Sequence, residues 1–272
     1  MTVAAVGGKR DFASADATRQ PFEKGSWTRG NFYFAPRRER ENLMQIHGLQ
    51  KMTLLDYPGR VACTVFLGGC DFRCPFCHNA ELIDGTASPV MESGEVLAFL
   101  KKRRGLLDGV AITGGEPLLR DLSPLLGEIK ALGYPVKLDT NGTHPDRLRT
   151  LIDRKLVDYV AMDVKNSPER YAETVGLPEL DLGPVYDSIA LLLRGGTDYE
   201  FRTTVVAELH SRDSFLGIGA MIQGARRYFL QPFADRDSVP FSGLHAPDPA
   251  TVEAYAETVK PFVFSVSIRG TQ

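Results

Sequence analysis

Nowhere in its 272 residues does the chain contain the run of about 18 apolar residues that a membrane helix needs. No membrane span is therefore expected. The opening stretch MTVAAVGGKRDFASADATRQ lacks the apolar core of a secretory signal. Charge of one sign is equally scarce. Thirty-two basic side chains face 34 acidic ones, a formal net charge of −2, so no general basic field exists to gather nucleic acid or an anionic membrane. The densest basic run, Lys101-Lys102-Arg103-Arg104, falls at the end of a predicted helix, where cations suit the dipole. Cysteine is sparse too. Four residues do not make a disulfide framework, and without an export signal the expected compartment is the reducing cytoplasm.

What is present is ordinary globular material, 43% apolar and 24% charged, long enough for one sizeable α/β domain. Residues 1–43 have no sustained period and read as an irregular N-terminal extension; residues 44–272 read as the domain. Short apolar runs predict strands at 61–67, 109–113, 135–139, 157–163, 199–206, 226–231 and 262–266. Between them, amphipathic stretches predict helices at 93–104, 118–132, 145–154, 185–194, 214–224 and 249–259. Regular alternation argues for parallel β/α units, and about six of them for a partial (β/α)6-type barrel. In such folds the chemistry gathers at the C-terminal ends of the strands.

Three of the four cysteines lie within eight residues, in Gly68-Gly69-Cys70-Asp71-Phe72-Arg73-Cys74-Pro75-Phe76-Cys77-His78-Asn79, directly after the first strand. Thiolates spaced C-x3-C-x2-C on a tight loop can converge on one iron–sulfur core. A cubane has four irons, so three protein ligands leave one iron open to a substrate or cofactor. Other readings compete. A Cys3His zinc site would recruit His78, although adjacent Cys77 and His78 converge poorly on one metal. Cys74 to His78 also matches a C-x-x-C-H haem attachment, and Cys74 with Cys77 a redox dithiol; both leave Cys70 idle. Cys63, inside the first strand, reads as a core thiol.

The spacing C-x3-C-x-aromatic-C, with Phe76 as the aromatic residue, resembles the signature of the radical S-adenosylmethionine (SAM) superfamily. The longer stretch MQIHGLQKMTLLDYPGRVACTVFLGGCDFRCPFCHN resembles one branch, the anaerobic ribonucleoside-triphosphate reductase activating proteins. The resemblance implies one [4Fe–4S] cluster on Cys70, Cys74 and Cys77. It also implies SAM contacts from the Phe76 and His78 loop and from Gly114, Gly115, Glu116 and Pro117, which resemble a G-G-E-P element. Asp139 and Asn141 after the third strand, Asp163 and Lys165 after the fourth, and Arg202 on the fifth complete the implied set. In that picture the Gly114–Gly115 backbone and Glu116 meet the methionyl amine, Lys165 pairs with its carboxylate, and Asp139 and Asp163 hold amino or ribose groups.

The activity so implied is reductive cleavage of SAM and generation of a glycyl radical on an anaerobic ribonucleotide reductase. Flavodoxin or ferredoxin would be the electron donor. Alternatives are a radical enzyme acting on a small molecule or on another glycyl-radical enzyme, and a non-catalytic metal-stabilised binding module. The chain lacks the extra cysteines of a ferredoxin-like insert, so a single cluster is expected. His47, His144, His210 and His245 fit no partner pattern and read as surface or loop residues.

Overall fold

A computed structural model describes residues 43–83, 86–236 and 239–270. The proposed extension, residues 1–43, lies outside the described residues except for Leu43. Ten strands and eight α-helices occur among the described residues. In chain order they begin β1 (Gln45–Ile46), β2 (Gly48–Thr53), β3 (Ala62–Leu67), α1 (Ala80–Ile83), β4 (Met91–Glu92), α2 (Ser93–Lys102), β5 (Gly109–Gly114), α3 (Ser123–Ala131) and β6 (Val136–Thr140). They continue α4 (Pro145–Asp153), β7 (Tyr159–Asp163), α5 (Pro168–Thr174), α6 (Gly183–Leu193), β8 (Asp198–Val205), α7 (Arg212–Met221), β9 (Tyr228–Pro232), α8 (Pro249–Val259) and β10 (Val266–Ile268).

The main sheet runs β10-β9-β8-β7-β6-β5-β3-β2. All its pairings are parallel except β2 with β3, and six helical crossovers join consecutive parallel strands. This is the expected α/β partial barrel. The parallel strands carry near-continuous apolar runs because helices cover them, as Ala62–Leu67 illustrates with five buried residues of six. Helix starts are written locally. Pro145, Pro168 and Pro249 open their helices, where the missing N–H costs nothing. Asp248 caps α8 by accepting from the Thr251 N–H at 3.0 Å.

Parallel pairing brings the C-terminal ends to one edge. Leu67 aligns with Gly114, Thr140 with Met162, and Asp163 with Arg202. The predicted helix 118–132 is broken: a 3-10 turn at Pro117–Leu119 precedes α3. Arg120 leaves helical geometry (φ −133°, ψ 164°), and its guanidinium donates to the Gly68 carbonyl at 2.6 Å. Asp121 then accepts from the Ser123 N–H at 2.9 Å and restarts the helix. The strand expected at 262–266 lies at Val266–Ile268, because Phe262 and Phe264 hydrogen-bond the turns at Val259, Gly224 and Ala225 instead. Strands β1, β2 and β4 and helices α1 and α5 had no clear sequence signal.

Candidate functional site

The loop after β3 and the ends of β5, β6, β7 and β8 enclose one cavity. Cys70, Cys74 and Cys77 line it from one side, together with Phe76 and His78. Gly114 and Gly115 form its edge, Asp139, Asp163, Lys165 and Arg202 line it as well, and Asn141 reaches back to the cysteine loop with its Nδ2 3.9 Å from Cys70 Sγ. Twelve of the fourteen residues expected at the site therefore share a single cavity. Glu116 and Pro117 do not line it.

Glu116 is fully buried behind the wall, and its carboxylate is engaged by the protein itself. It accepts from the Asn141 N–H (2.6 Å), the Thr140 hydroxyl (2.9 Å) and the Leu118 N–H (2.9 Å). Burial raises its pKa to about 7, against those three hydrogen bonds. Glu116 thus braces β5 against β6, with its carboxylate turned to internal partners. The paired glycines are also used internally. A Cβ on Gly115 would strike the Gly69 carbonyl, whose oxygen accepts from the Glu116 N–H at 2.8 Å. Gly114 holds φ +119°, where a side chain would meet the Leu67 backbone. The two glycines lock the strand end onto the cysteine loop.

That loop is held from several sides. Phe72 N–H donates to Cys70 Sγ at 3.4 Å. Asp71 accepts from Asn141 Nδ2 (2.7 Å) and the Thr143 hydroxyl (2.5 Å), tying the loop to the end of β6. Burial pushes the Cys70 thiol up to about 12 and Cys74 to about 11, and raises Cys77 as well. Among the described residues, no three His, Cys, Asp or Glu side chains gather as a single metal ion requires. A cubane asks something else, one thiolate to each of three irons. Three thiols facing one cavity suit that demand. His78 lies with Nε2 2.6 Å from the Ala234 carbonyl and its ring stacked on Phe233 (5.5 Å, interplanar 1°), an arrangement unsuited to a Cys3His site.

Along the cavity lining, charges alternate. Lys165 Nζ lies 2.7 Å from Asp163, the Arg202 Nε also binds Asp163, and Arg202 Nη2 reaches Asp139 at 3.3 Å. Lys137, almost fully buried, pairs with Asp139 from below. Burial would raise Asp163, yet Arg202 and Lys165 hold it well below the carboxylate range. Asp139 is likewise lowered, by Arg202 and Lys137 against burial. Lys165 and Arg202 are raised, the carboxylates overcoming burial. Lys137 was missed in the sequence; it lies two residues before Asp139 on β6, so strand alternation puts both on one face.

The histidines are not all surface groups. His210 is buried, with Nε2 2.9 Å from the Lys165 carbonyl and Nδ1 accepting from the Val206 N–H at 3.1 Å, so it holds the β7 end against β8. His47 Nδ1 accepts from the Gly68 N–H at 3.0 Å. His144 Nε2 lies 3.3 Å from Asp71, and exposed His245 pairs with Glu208 at 2.7 Å.

Residues 64–209 match the family model described as the radical SAM superfamily. The chain belongs to the radical SAM superfamily. Its cofactors are accordingly a [4Fe–4S] cluster and SAM. A protein of Methanocaldococcus jannaschii with the provisional name glycyl-radical enzyme activating enzyme is 30% identical over 233 residues, 82% of this chain and 95% of the relative. A 7-carboxy-7-deazaguanine synthase of Koribacter versatilis is 32% identical over 149 residues, 53% of this chain and 62% of the relative. In fold the chain is similar to Streptococcus suis SuiB bound to precursor peptide SuiA, with TM-score 0.59 and 15% identity over 77% of this chain and 48% of that one.

Proposed function

We propose that this radical SAM enzyme activates a glycyl-radical enzyme, with an anaerobic ribonucleoside-triphosphate reductase as its target. The observation that carries the chemistry is that three loop thiols and an alternating charge array line one cavity. Cys70, Cys74 and Cys77 are the cluster ligands in this reading. A cluster held by these three thiolates would supply the electron for reductive cleavage of SAM and so the means to take a hydrogen atom from the substrate.

The chain's own residues bind and orient. The methionyl end of SAM is a zwitterion next to a sulfonium, and a row of alternating charges suits both its ends. Lys165 offers its ammonium to the carboxylate, while Asp139 and Asp163 offer acceptors to the amine or the ribose hydroxyls. Arg202, bound to both aspartates, keeps them ionised and in register. Phe76 places its ring 6.0 Å from Lys165 Nζ and shields that end of the cavity from water. His78 and Asn141 complete the lining, with the Gly114–Gly115 backbone at its edge.

Residues 44–272 form the functional domain in this reading, the setting is the cytoplasm, and a flavodoxin or ferredoxin supplies the electron. The near full-length likeness to the M. jannaschii protein supports activation of a glycyl-radical enzyme. The reductase target rests on the resemblance of residues 44–79 to the reductase-activating branch. Anaerobic incubation of reconstituted protein with SAM, a reductant and a candidate reductase is expected to produce the glycyl-radical doublet in electron paramagnetic resonance (EPR). A silent mixture, in which SAM is still cleaved to 5′-deoxyadenosine, overturns the target. The likeness to a 7-carboxy-7-deazaguanine synthase favours a second reading, a small-molecule substrate, under which cleavage responds to a metabolite and not to a protein.

A further inference from the structure

Behind the cysteine loop lies a buried hydroxyl whose hydrogen lacks an acceptor. Tyr171, in α5, is fully buried, and among the described residues its hydroxyl hydrogen finds no acceptor, although the Lys165 N–H bears on its oxygen. Several other buried tyrosines have partners: Tyr159 donates to Glu200 at 2.5 Å, Tyr228 to Thr203 at 2.7 Å and Tyr134 to the Leu100 carbonyl at 2.9 Å, and Tyr199 accepts from the Arg226 N–H at 3.3 Å. A hydroxyl taken from water and left unpaired costs about 1–3 kcal/mol. Phenylalanine would fill the same space without that cost, so packing alone does not account for a tyrosine here.

Its position indicates what the hydroxyl serves. The Tyr171 ring stands edge-on to Phe72, with centroids 6.3 Å apart and planes at 63°. One residue past α5, the Val175 carbonyl accepts from the Arg73 N–H at 2.8 Å. Gly176 follows at φ +70°, so close beneath Arg73 that a Cβ would strike its carbonyl. Helix α5 is therefore built against Phe72 and Arg73, and the next residue is Cys74, only 8% exposed. Burial raises the phenol's pKa, the Lys165 N–H acts against it, and the charges of Lys165, Asp163 and Cys74 also bear on it.

We propose that Tyr171 donates its hydroxyl hydrogen to the sulfur of Cys74, or to the inorganic sulfide beside it, when the iron–sulfur cluster is bound, and thereby sets the cluster's reduction potential. The inference rests on the reading that Cys74 ligates the cluster. A thiolate bound to iron is a charge-bearing acceptor, whereas a free thiol is a weak one. The hydroxyl hydrogen of the iron-free protein thus gains its acceptor on loading. A hydrogen bond to a cluster sulfur draws off negative charge and makes addition of an electron easier. Tyr171 is a positioning and tuning residue in this account, touching ligand sulfur and not substrate.

The test compares Tyr171→Phe with the wild type, both full-length and anaerobically reconstituted. Three readouts separate tuning from packing: the midpoint potential from an EPR-monitored redox titration, exchangeable-proton couplings of the reduced cluster in H2O and D2O, and urea unfolding of the iron-free proteins. The variant is expected to carry the same iron per chain, to have a more negative potential, and to lose one exchangeable coupling. Its iron-free stability should equal or exceed that of the wild type. An unchanged potential with the coupling retained overturns the proposal. So does a loss of iron-free stability, since the hydroxyl would then have its partner within the protein. A Cys74→Ala protein that keeps its full cluster instead overturns the ligation on which the proposal stands, whatever Tyr171→Phe does.

Discussion

The two walls of the cavity solve opposite electrostatic problems. The thiol wall is neutral in the iron-free protein, since burial raises all three cysteines, and Glu116, buried between the ends of β5 and β6, is raised to about 7. The charged wall is fully ionised, with Asp139 and Asp163 lowered and Lys165 and Arg202 raised by their mutual attraction. The difference follows from partners. A buried acid with only dipolar hydrogen bonds drifts towards its neutral form, and one with two cations stays charged. In the proposed function one wall is the one that takes the metal, and the other, already compensated, exchanges an internal partner for a ligand.

Removing a thiol breaks the comparison most completely. Cys74→Ala is expected to abolish the four-iron cluster, falling from about four irons per chain as the cubane requires, and with it 5′-deoxyadenosine formation. Iron analysis beside product assay checks this. A variant that still cleaves SAM at the wild-type rate removes Cys74 from the ligand set.

On the charged wall the largest effect is expected from Asp163→Asn, which leaves Lys165 and Arg202 facing each other across a neutral amide. Breaking a buried pair costs about 3–5 kcal/mol. Because a quarter of the Asp163 side chain is exposed, the lower end, about 3 kcal/mol, applies. Urea unfolding measures it, and affinity for SAM should fall at the same time. A change below about 1 kcal/mol, the level of a surface pair, would show that the array is solvated.

The walls should also answer acid in opposite directions. Asp139 and Asp163 are lowered, so their contribution to stability is complete above the ordinary carboxylate value of 3.8 and is lost as pH falls below it. Glu116 is raised from 4.5 to about 7, so its contribution is complete below 4.5 and is lost as pH rises through about 7. The ceiling for that loss is about 3 kcal/mol, since each pKa unit is worth about 1.4 kcal/mol. Unfolding of wild type and Glu116→Gln at about pH 5 and about pH 7 checks it. The wild type should lose stability relative to the variant across that interval, and parallel behaviour would mean that Glu116 is ionised throughout.

Much of this site was legible because parallel strands deliver their C-terminal residues to one edge. Cys70, Asp139 and Asp163 lie far apart in sequence, yet each sits near the end of a strand whose apolar run was clear, and Arg202, inside β8, is paired with Asp163. Inward roles were harder to read. The motif around Glu116 does not reveal that Asn141 and Thr140 fold back over its carboxylate. His210 gave no sign of reaching the Lys165 carbonyl, a contact set by the β7–β8 pairing. Helix α5 is only seven residues long, too short for an amphipathic period to stand out, so Tyr171 was hidden with it.

The smallest effect concerns the contact between the thiol loop and the segment after β9. His78 joins them through its stack on Phe233 and its contact with the Ala234 carbonyl. A stacked ring pair contributes about 0.5–1.5 kcal/mol beyond the area it buries. His78→Leu removes both interactions but keeps an apolar side chain of similar bulk, so a stability loss of about 1 kcal/mol is expected. A few-fold weaker hold on SAM should accompany it, because Phe233 no longer steadies the loop that carries Cys77. Iron content should not change. If His78→Leu instead loses iron in step with Cys74→Ala, His78 belongs to the metal site, and the division of the cavity into a thiol wall and a charged wall needs a third component.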